Sequence, residues 1–288
     1  MSFFGKIFDK TDASESRKYK KGIYYVNGFS QTRNGISFIE NNYSADVTYQ
    51  EDLYGPVQKI NYKVNNLKQS CEGLIFQFAQ CFNELTADLE LQINDGFEVT
   101  GILNHNAIIQ NWTSKRQALK DKFKSIPDVD ELLNNYEKNI KNEEKFRNSI
   151  FYTGIAQLFF PRIKQLFQPP IEQEKFMRKR FLHGFYFGLQ IPVKEEVTIR
   201  ESDKILIASI HAVLDVKSIE NKEEFIKGFR MLYGDEIQMD DITFRANEKY
   251  EMSHDLECLT GEIDQYLEVK GVHFKKDKIT YKRMGDER

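Results

Sequence analysis

Apolar and polar residues alternate most clearly on either side of the Asn-Asp-Gly sequence at 94–96. The apolar members of this pattern are Leu89, Leu91, Ile93, Phe97 and Val99. Alternation around an Asp-Gly turn predicts a β-hairpin. A three-residue loop with its glycine left-handed would place Ile93 opposite Phe97 and Leu91 opposite Val99, which keeps both apolar sets on one face. We therefore predict that loop.

The periodicity changes to that of a helix after the hairpin. Ile108, Trp112, Leu119 and Phe123 are spaced by four, seven and four residues, and Asn104 or Asn106 could cap the helix. Another stripe follows Ser70, which could cap it, and consists of Leu74, Ile75, Phe78, Cys81, Phe82 and Leu85. Further helices are predicted from Pro127 to Ile140 and from Asn142 to about Phe160. The middle of the chain, about 104–160, is thus predicted to be a helical block.

The remaining segments are mostly strand-like. Extended segments are predicted at 57–67, 181–199 and 205–214, and within 22–54 strands or an irregular arm fit equally well. One helix stands out near the C-terminus, where Asn221 and Glu224 match a capping box and Gly234 a C-terminal cap. Shorter strands are then indicated at 242–244, 263–269, 272–274 and 279–281, with a turn at Gly271.

These elements predict an α+β fold in which antiparallel sheets pack against helices. Residues 1–21 are interpreted as a flexible N-terminal arm. Residues 22–168 form a first half with the hairpin and the helical block, and residues 171–288 form a β-rich second half, the boundary being Pro169-Pro170. The halves could also be one continuous domain. Both contain strands with an intervening helix, but no residue-level repeat supports a duplication.

Composition narrows the function classes. The formal net charge is −3, so general attraction to nucleic acid or to anionic lipid is not expected. Cys71, Cys81 and Cys258 are too few and too scattered for a disulfide framework, and reduced thiols in the cytoplasm are the simplest interpretation. We find neither a secretory signal pattern nor a run of about 20 apolar residues, so no membrane span is expected.

Catalytic and metal-binding motifs are missing from the sequence. The five histidines are dispersed as His105, His183, His211, His254 and His273, without metal-ligand spacing. Nucleophile-elbow, phosphate-loop and dinucleotide motifs are not found either. We therefore assign no catalytic residue, no metal site and no cofactor. If the protein were an enzyme assembled only by folding, His105, His211 and Cys258 would be tested first.

Two stretches are candidates for contact with other molecules. The N-terminus carries Phe3, Phe4, Ile7 and Phe8, a candidate partner-binding segment. Lys175, Arg178, Lys179 and Arg180 form a candidate basic patch, followed by aromatic residues on which bases could stack. The alternation of Phe185 and Phe187 favours instead a basic connection that leads into a core strand, so nucleic acid is not the expected partner.

The sequence favours a non-enzymatic protein that acts through its surface, as an adaptor, scaffold, chaperone or inhibitor. Another protein is the expected partner, and the oligomeric state stays open. The first alternative is a carrier that holds an apolar ligand in a pocket between sheet and helices. The second is an enzyme whose residues meet only in the fold.

Overall fold

One antiparallel sheet dominates the fold. The computed structural model describes residues 20–52, 56–95, 98–151, 155, 159, 175–186, 189–203, 205–253 and 257–285. Within these residues the sheet has eleven strands: β1 Lys20–Asn34, β2 Ser37–Asp52, β3 Lys59–Gln69, β4 Asp88–Ile93, β5 Val99–Ile102, β6 Lys175–Tyr186, β7 Leu189–Ser202, β8 Ile205–Leu214, β9 Ile242–Ser253, β10 Cys258–Val269 and β11 His273–Gly285.

Five α-helices accompany the sheet in the described part of the chain. They are α1 Leu74–Leu85, α2 His105–Lys122, α3 Val129–Lys141, α4 Glu143–Phe151 and α5 Lys222–Tyr233. The helical block in the middle of the chain is confirmed by α2, α3 and α4. No helix among the described residues has the length and apolar character needed to cross a membrane.

The strand order is β5-β4-β3-β2-β1-β11-β10-β9-β8-β7-β6. Each half of the chain is therefore a meander, and the two meanders join where β1 pairs with β11. Both halves also insert a helix after their third strand, α1 after β3 and α5 after β8. Antiparallel pairing between consecutive strands is expected from the short turns that connect most of them.

One face of the sheet carries the core, because alternate residues of each strand point to it. Helices cover this inner face in two places. The larger hydrophobic cluster lies under α1 to α4 and includes the fully buried Trp112 and Phe123. The smaller cluster lies under α5 and includes Phe229. On the opposite, outer face, side chains are mostly exposed or half-buried.

A row of polar side chains separates the two clusters. Residues directly opposed across eight strands run Arg178, Glu195, Ala212, Ala246, Gln265, Asp277, Ser30 and Asn41. We call the polar members of this row, with the neighbouring Arg180, Glu248 and Lys275, the polar seam. Glu195, Glu248 and Gln265 are buried, so the seam crosses the interior rather than the surface.

Several predicted elements are confirmed with their boundaries. The strand predicted at 205–214 is β8. Asn221 accepts a hydrogen bond from the Glu224 amide at 3.1 Å and caps α5, and Gly234 follows the helix at a φ of +105°. The stripe predicted for α2 is also correct, since all four of its residues are buried.

Other local predictions are wrong. The 93–99 hairpin exists, but Ile93 lies opposite Val99, two residues beyond the predicted partner, because Asn94 pairs with Glu98. Phe97 itself lies outside the described residues. Ser70 does not cap α1, which begins after Gly73; the Ser70 hydroxyl instead accepts a hydrogen bond from the Asn42 amide.

The predicted arm and domain boundary are not described. Residues 1–19 and Pro169-Pro170 fall outside the described part of the chain, so both stay predictions. The predicted first and second halves contribute strands to one shared sheet.

Candidate ligand-binding cavity

A cavity of about 670 Å³ lies between the inner face of the sheet and the helical block. Its sheet wall comes from β1, β2, β3 and β11, and its helical wall from α1, α3 and α4. Sites for small molecules usually measure about 300–1,000 Å³. The cavity is therefore large enough to enclose a small ligand.

The curvature of the sheet leaves this space open. Helix α4 contacts both β5 and β6, the two edge strands of the sheet, so the inner face is concave. Next to the cavity, the ring of Tyr43 lies directly against Gly28 of the neighbouring strand. A Cβ atom at position 28 would be 1.9 Å from Tyr43 Cζ, so glycine is required for this packing.

One side of the cavity is aromatic and aliphatic. Its innermost residues are Tyr62, Phe146 and Ile279, all of which are buried. Phe82 of α1 and Tyr136 of α3 also line it, with ring centroids 4.2 Å apart. This wall can contact an apolar group of a ligand over a continuous surface.

The Tyr136 hydroxyl is a polar group without a hydrogen-bond partner. Its oxygen is buried, and it makes no hydrogen bond to any described residue. Burial raises the pKa of Tyr136 well above the ordinary tyrosine value, so the hydroxyl keeps its proton at neutral pH. Buried polar groups in proteins are nearly always satisfied, so this hydroxyl calls for a partner that the described residues do not provide.

The other side of the cavity is formed by one part of the polar seam, namely Ser30, Asn41, Lys275 and Asp277. Ser30 donates a hydrogen bond to Asp277 Oδ1 at 2.6 Å. Lys275 Nζ lies 3.3 Å from Asp277 Oδ2, so the carboxylate holds an ion pair and a hydroxyl together. Burial raises the pKa of Tyr43 on the cavity wall, and the negative charge of Asp277 raises it further. The cavity thus combines an apolar wall with a small polar region.

Each member of the predicted basic patch lies beside a carboxylate. Lys175 Nζ is 2.9 Å from Glu196, and Lys179 Nζ is 3.4 Å from Asp215. Arg178 and Arg180 face inward, where both bind Glu195. The two arginines therefore belong to the polar seam, while the two lysines are exposed on the outer face.

His105, His211 and Cys258 lie in different parts of the described structure. His105 contacts the Ile140 carbonyl at 2.7 Å, and His211 contacts Asn247 at 2.8 Å on the outer face. Cys258 is a half-buried thiol that forms no disulfide and packs against the larger cluster. Within the described residues, no group of three or more His, Cys, Asp or Glu side chains is arranged to hold a metal ion. The candidate segment Phe3, Phe4, Ile7 and Phe8 lies outside those residues.

Sequence reasoning did not identify the cavity residues Ser30, Tyr136 and Asp277. Tyr136 lies within the helix predicted from Pro127 to Ile140, but a helical prediction does not show that a hydroxyl lacks a partner. Ser30 and Asp277 are 247 residues apart and meet only because β1 pairs with β11.

No protein-family profile matches the chain, and none of the curated proteins compared with it is similar in sequence. The cavity therefore has to be interpreted from its own geometry and chemistry.

Proposed function

We propose that the protein is a carrier that binds a small amphiphilic molecule in the cavity between sheet and helices. The observation that supports this proposal is the buried Tyr136 hydroxyl, which has no partner among the described residues and lies on the wall of a 670 Å³ cavity. An apolar wall supplies binding free energy by removing hydrocarbon from water. A few fixed polar groups then orient the ligand, as is usual in small-molecule sites.

A cavity-filling variant tests the proposal. Ile150 lines the cavity from α4, and Ile150→Trp would occupy part of its volume. Leu232→Trp is the matched control, because Leu232 is a 44% exposed residue of α5, away from the cavity. The wild type and both variants are produced in the native source, purified and examined by native mass spectrometry.

We expect a bound molecule of a few hundred daltons with the wild type and with Leu232→Trp, and its loss with Ile150→Trp. Far-ultraviolet circular dichroism checks that both variants are folded. If Ile150→Trp retained the molecule at the wild-type level, the carrier proposal would be wrong.

Tyr136→Phe provides a second, shape-conserving test. It removes the hydroxyl and keeps the ring, so we expect an increase in the ligand dissociation constant without loss of protein stability. Tyr25→Phe is its control, since Tyr25 lies on the outer face of β1 and is 38% exposed. Equal ligand affinity in the two variants would show that the hydroxyl does not contact the ligand.

A second candidate function, protein interaction, is supported by the β1–β2 hairpin. Its tip exposes three large apolar side chains: Ile36 fully, Phe38 to 54% and Ile39 to 46%. The pairing of β2 with β3 begins only at Tyr43, and the Glu40 carbonyl accepts a hydrogen bond from the Cys71 thiol, so residues 37–39 of β2 form an open strand edge in the described structure. Open edges accept an extended segment of another protein as an additional strand.

The partner we propose here is such an extended protein segment, which would make the protein an adaptor or inhibitor in addition to a carrier. Phe38→Pro removes an amide from the open edge, and Met231→Asp changes an exposed apolar residue of α5 as a control. We expect affinity purification to recover the same partner with the wild type and Met231→Asp but not with Phe38→Pro. Recovery with all three would exclude this edge. A cytoplasmic location is also part of this proposal, because the three cysteines form no disulfide.

A further inference from the structure

Few charges line the cavity, and two of them form an ion pair. Only Glu84, Lys275 and Asp277 are charged among its lining residues in the described structure. Glu84 is exposed at the rim on α1. Lys275 and Asp277 are largely shielded, with side chains 26% and 17% exposed, and they form a pair with each other at 3.3 Å. Among the described residues, the charges of the inner polar region of the cavity are therefore one cation and one anion held together.

A neutral pair disfavours a ligand with a charged head group. A ligand carboxylate beside Lys275 would also lie beside Asp277, and Glu84 at the rim adds a second negative charge. A ligand ammonium group beside Asp277 would meet Lys275 in the same way. In either case one charge is left uncompensated in a partly buried site, which is costly.

A hydroxyl group suits the same site, because it donates one hydrogen bond and accepts others. It could donate to Asp277 and accept from Lys275 without separating the pair. We propose that the ligand is an uncharged amphiphile that bears a hydroxyl group. This inference rests on the carrier function proposed above. The hydroxyl would lie at Ser30, Lys275 and Asp277, and the apolar part along Phe82 and Tyr136.

The inference is tested with three ligands that share one hydrocarbon chain: decanol, decanoate and decylamine. Each is titrated at pH 7 against the full chain loaded with Nile red, a neutral apolar dye whose fluorescence falls on displacement. Decanol should displace the dye best from the wild type. Because any apolar cavity prefers a neutral ligand, this order alone does not identify the pair as its cause.

Two single-charge variants supply the decisive measurement. Asp277→Asn leaves Lys275 as the only charge of the pair, so decanoate should gain affinity by about tenfold relative to decanol. Lys275→Gln leaves Asp277, so decylamine should gain by a similar factor while decanoate loses affinity. Lys63→Gln and Asp88→Asn are matched controls, since they remove the same charges from an exposed pair 3.1 Å apart whose members do not line the cavity.

The outcomes separate this inference from the function on which it rests. If none of the three ligands displaced the dye from any variant, the carrier function would be contradicted. If ligands bound but the wild type preferred a charged one, or the preference did not reverse between Asp277→Asn and Lys275→Gln, the carrier function would stand and the neutral hydroxyl ligand would be excluded. Thermal unfolding confirms that each variant is folded.

Discussion

Replacing the buried Glu195 with glutamine should destabilise the protein strongly. Its carboxylate accepts hydrogen bonds from Arg178 Nε at 2.5 Å and from Arg180 Nε. Arg180 also donates to Glu248 at 2.9 Å, and Glu248 accepts a 2.8 Å hydrogen bond from the Tyr250 hydroxyl. Two guanidinium groups thus share two carboxylates inside the protein. Glu195→Gln would leave two positive charges with one negative charge.

The magnitude follows from the burial of the group. The Glu195 side chain has no exposed surface, and those of Arg178 and Arg180 are 23% and 12% exposed. Removing one partner of a buried ion pair typically costs about 3–5 kcal/mol, because the remaining charge is not compensated. We expect a decrease of that size in the free energy of unfolding.

The next residue in the chain is the control. Glu196 points to the opposite face of β7, where it lies 2.9 Å from Lys175 with side chains 43% and 62% exposed. Exposed pairs contribute about 0.2–1 kcal/mol, so Glu196→Gln should have a small effect. Both variants are compared with the wild type by urea denaturation followed by circular dichroism. Equal losses for Glu195→Gln and Glu196→Gln would refute the reasoning that burial makes the network critical.

Three further predictions concern stability. Gly28→Ala should lower the free energy of unfolding by about 1–3 kcal/mol in urea denaturation, because the new methyl group would overlap the Tyr43 ring. Asn221→Ala should lower it by about 1 kcal/mol through loss of the α5 cap, measured in the same way. Burial, with smaller effects of nearby positive charges, lowers the pKa of His273 from 6.5 to about 4. The unfolded chain therefore binds more protons between these values, so stability should fall as the pH decreases from 6.5 towards 4, and His273→Gln should weaken that dependence in pH-dependent thermal unfolding.

The hydrophobic pattern of the sequence was sufficient to predict elements that have a regular buried side. Strand β8 was predicted from an apolar run of strand length, and helix α5 from its capping box and the glycine that ends it. The alternation was not visible in β1 and β2, which are 15 and 16 residues long. Their inner face includes Gly28 and Ser30, and neither looks like a core residue in a sequence. The sequence therefore left residues 22–54 open between strands and an irregular arm.

The cavity could not be predicted, because it depends on pairings between distant residues. A hydrophobic pattern reports which side chains are buried, but not where packing leaves a space. The polar seam is also hidden in the sequence, since Glu195 and Glu196 are identical as letters and differ only in the face to which they point. The same reason placed Arg178 and Arg180 in a basic patch, although the structure directs both inward to Glu195.

The pairing of β1 with β11 has a consequence for biosynthesis. It is the one junction between described strands that are not consecutive in the sequence, so β1 must wait for the last strand before both of its edges are covered. Non-local pairing of this kind slows folding. A circularly permuted chain that began with β6, joined β11 to β1 through a short linker, and ended with β5 would place every neighbouring pair of strands in sequence order. The native order instead delays completion of the centre of the sheet until β11 has been synthesised.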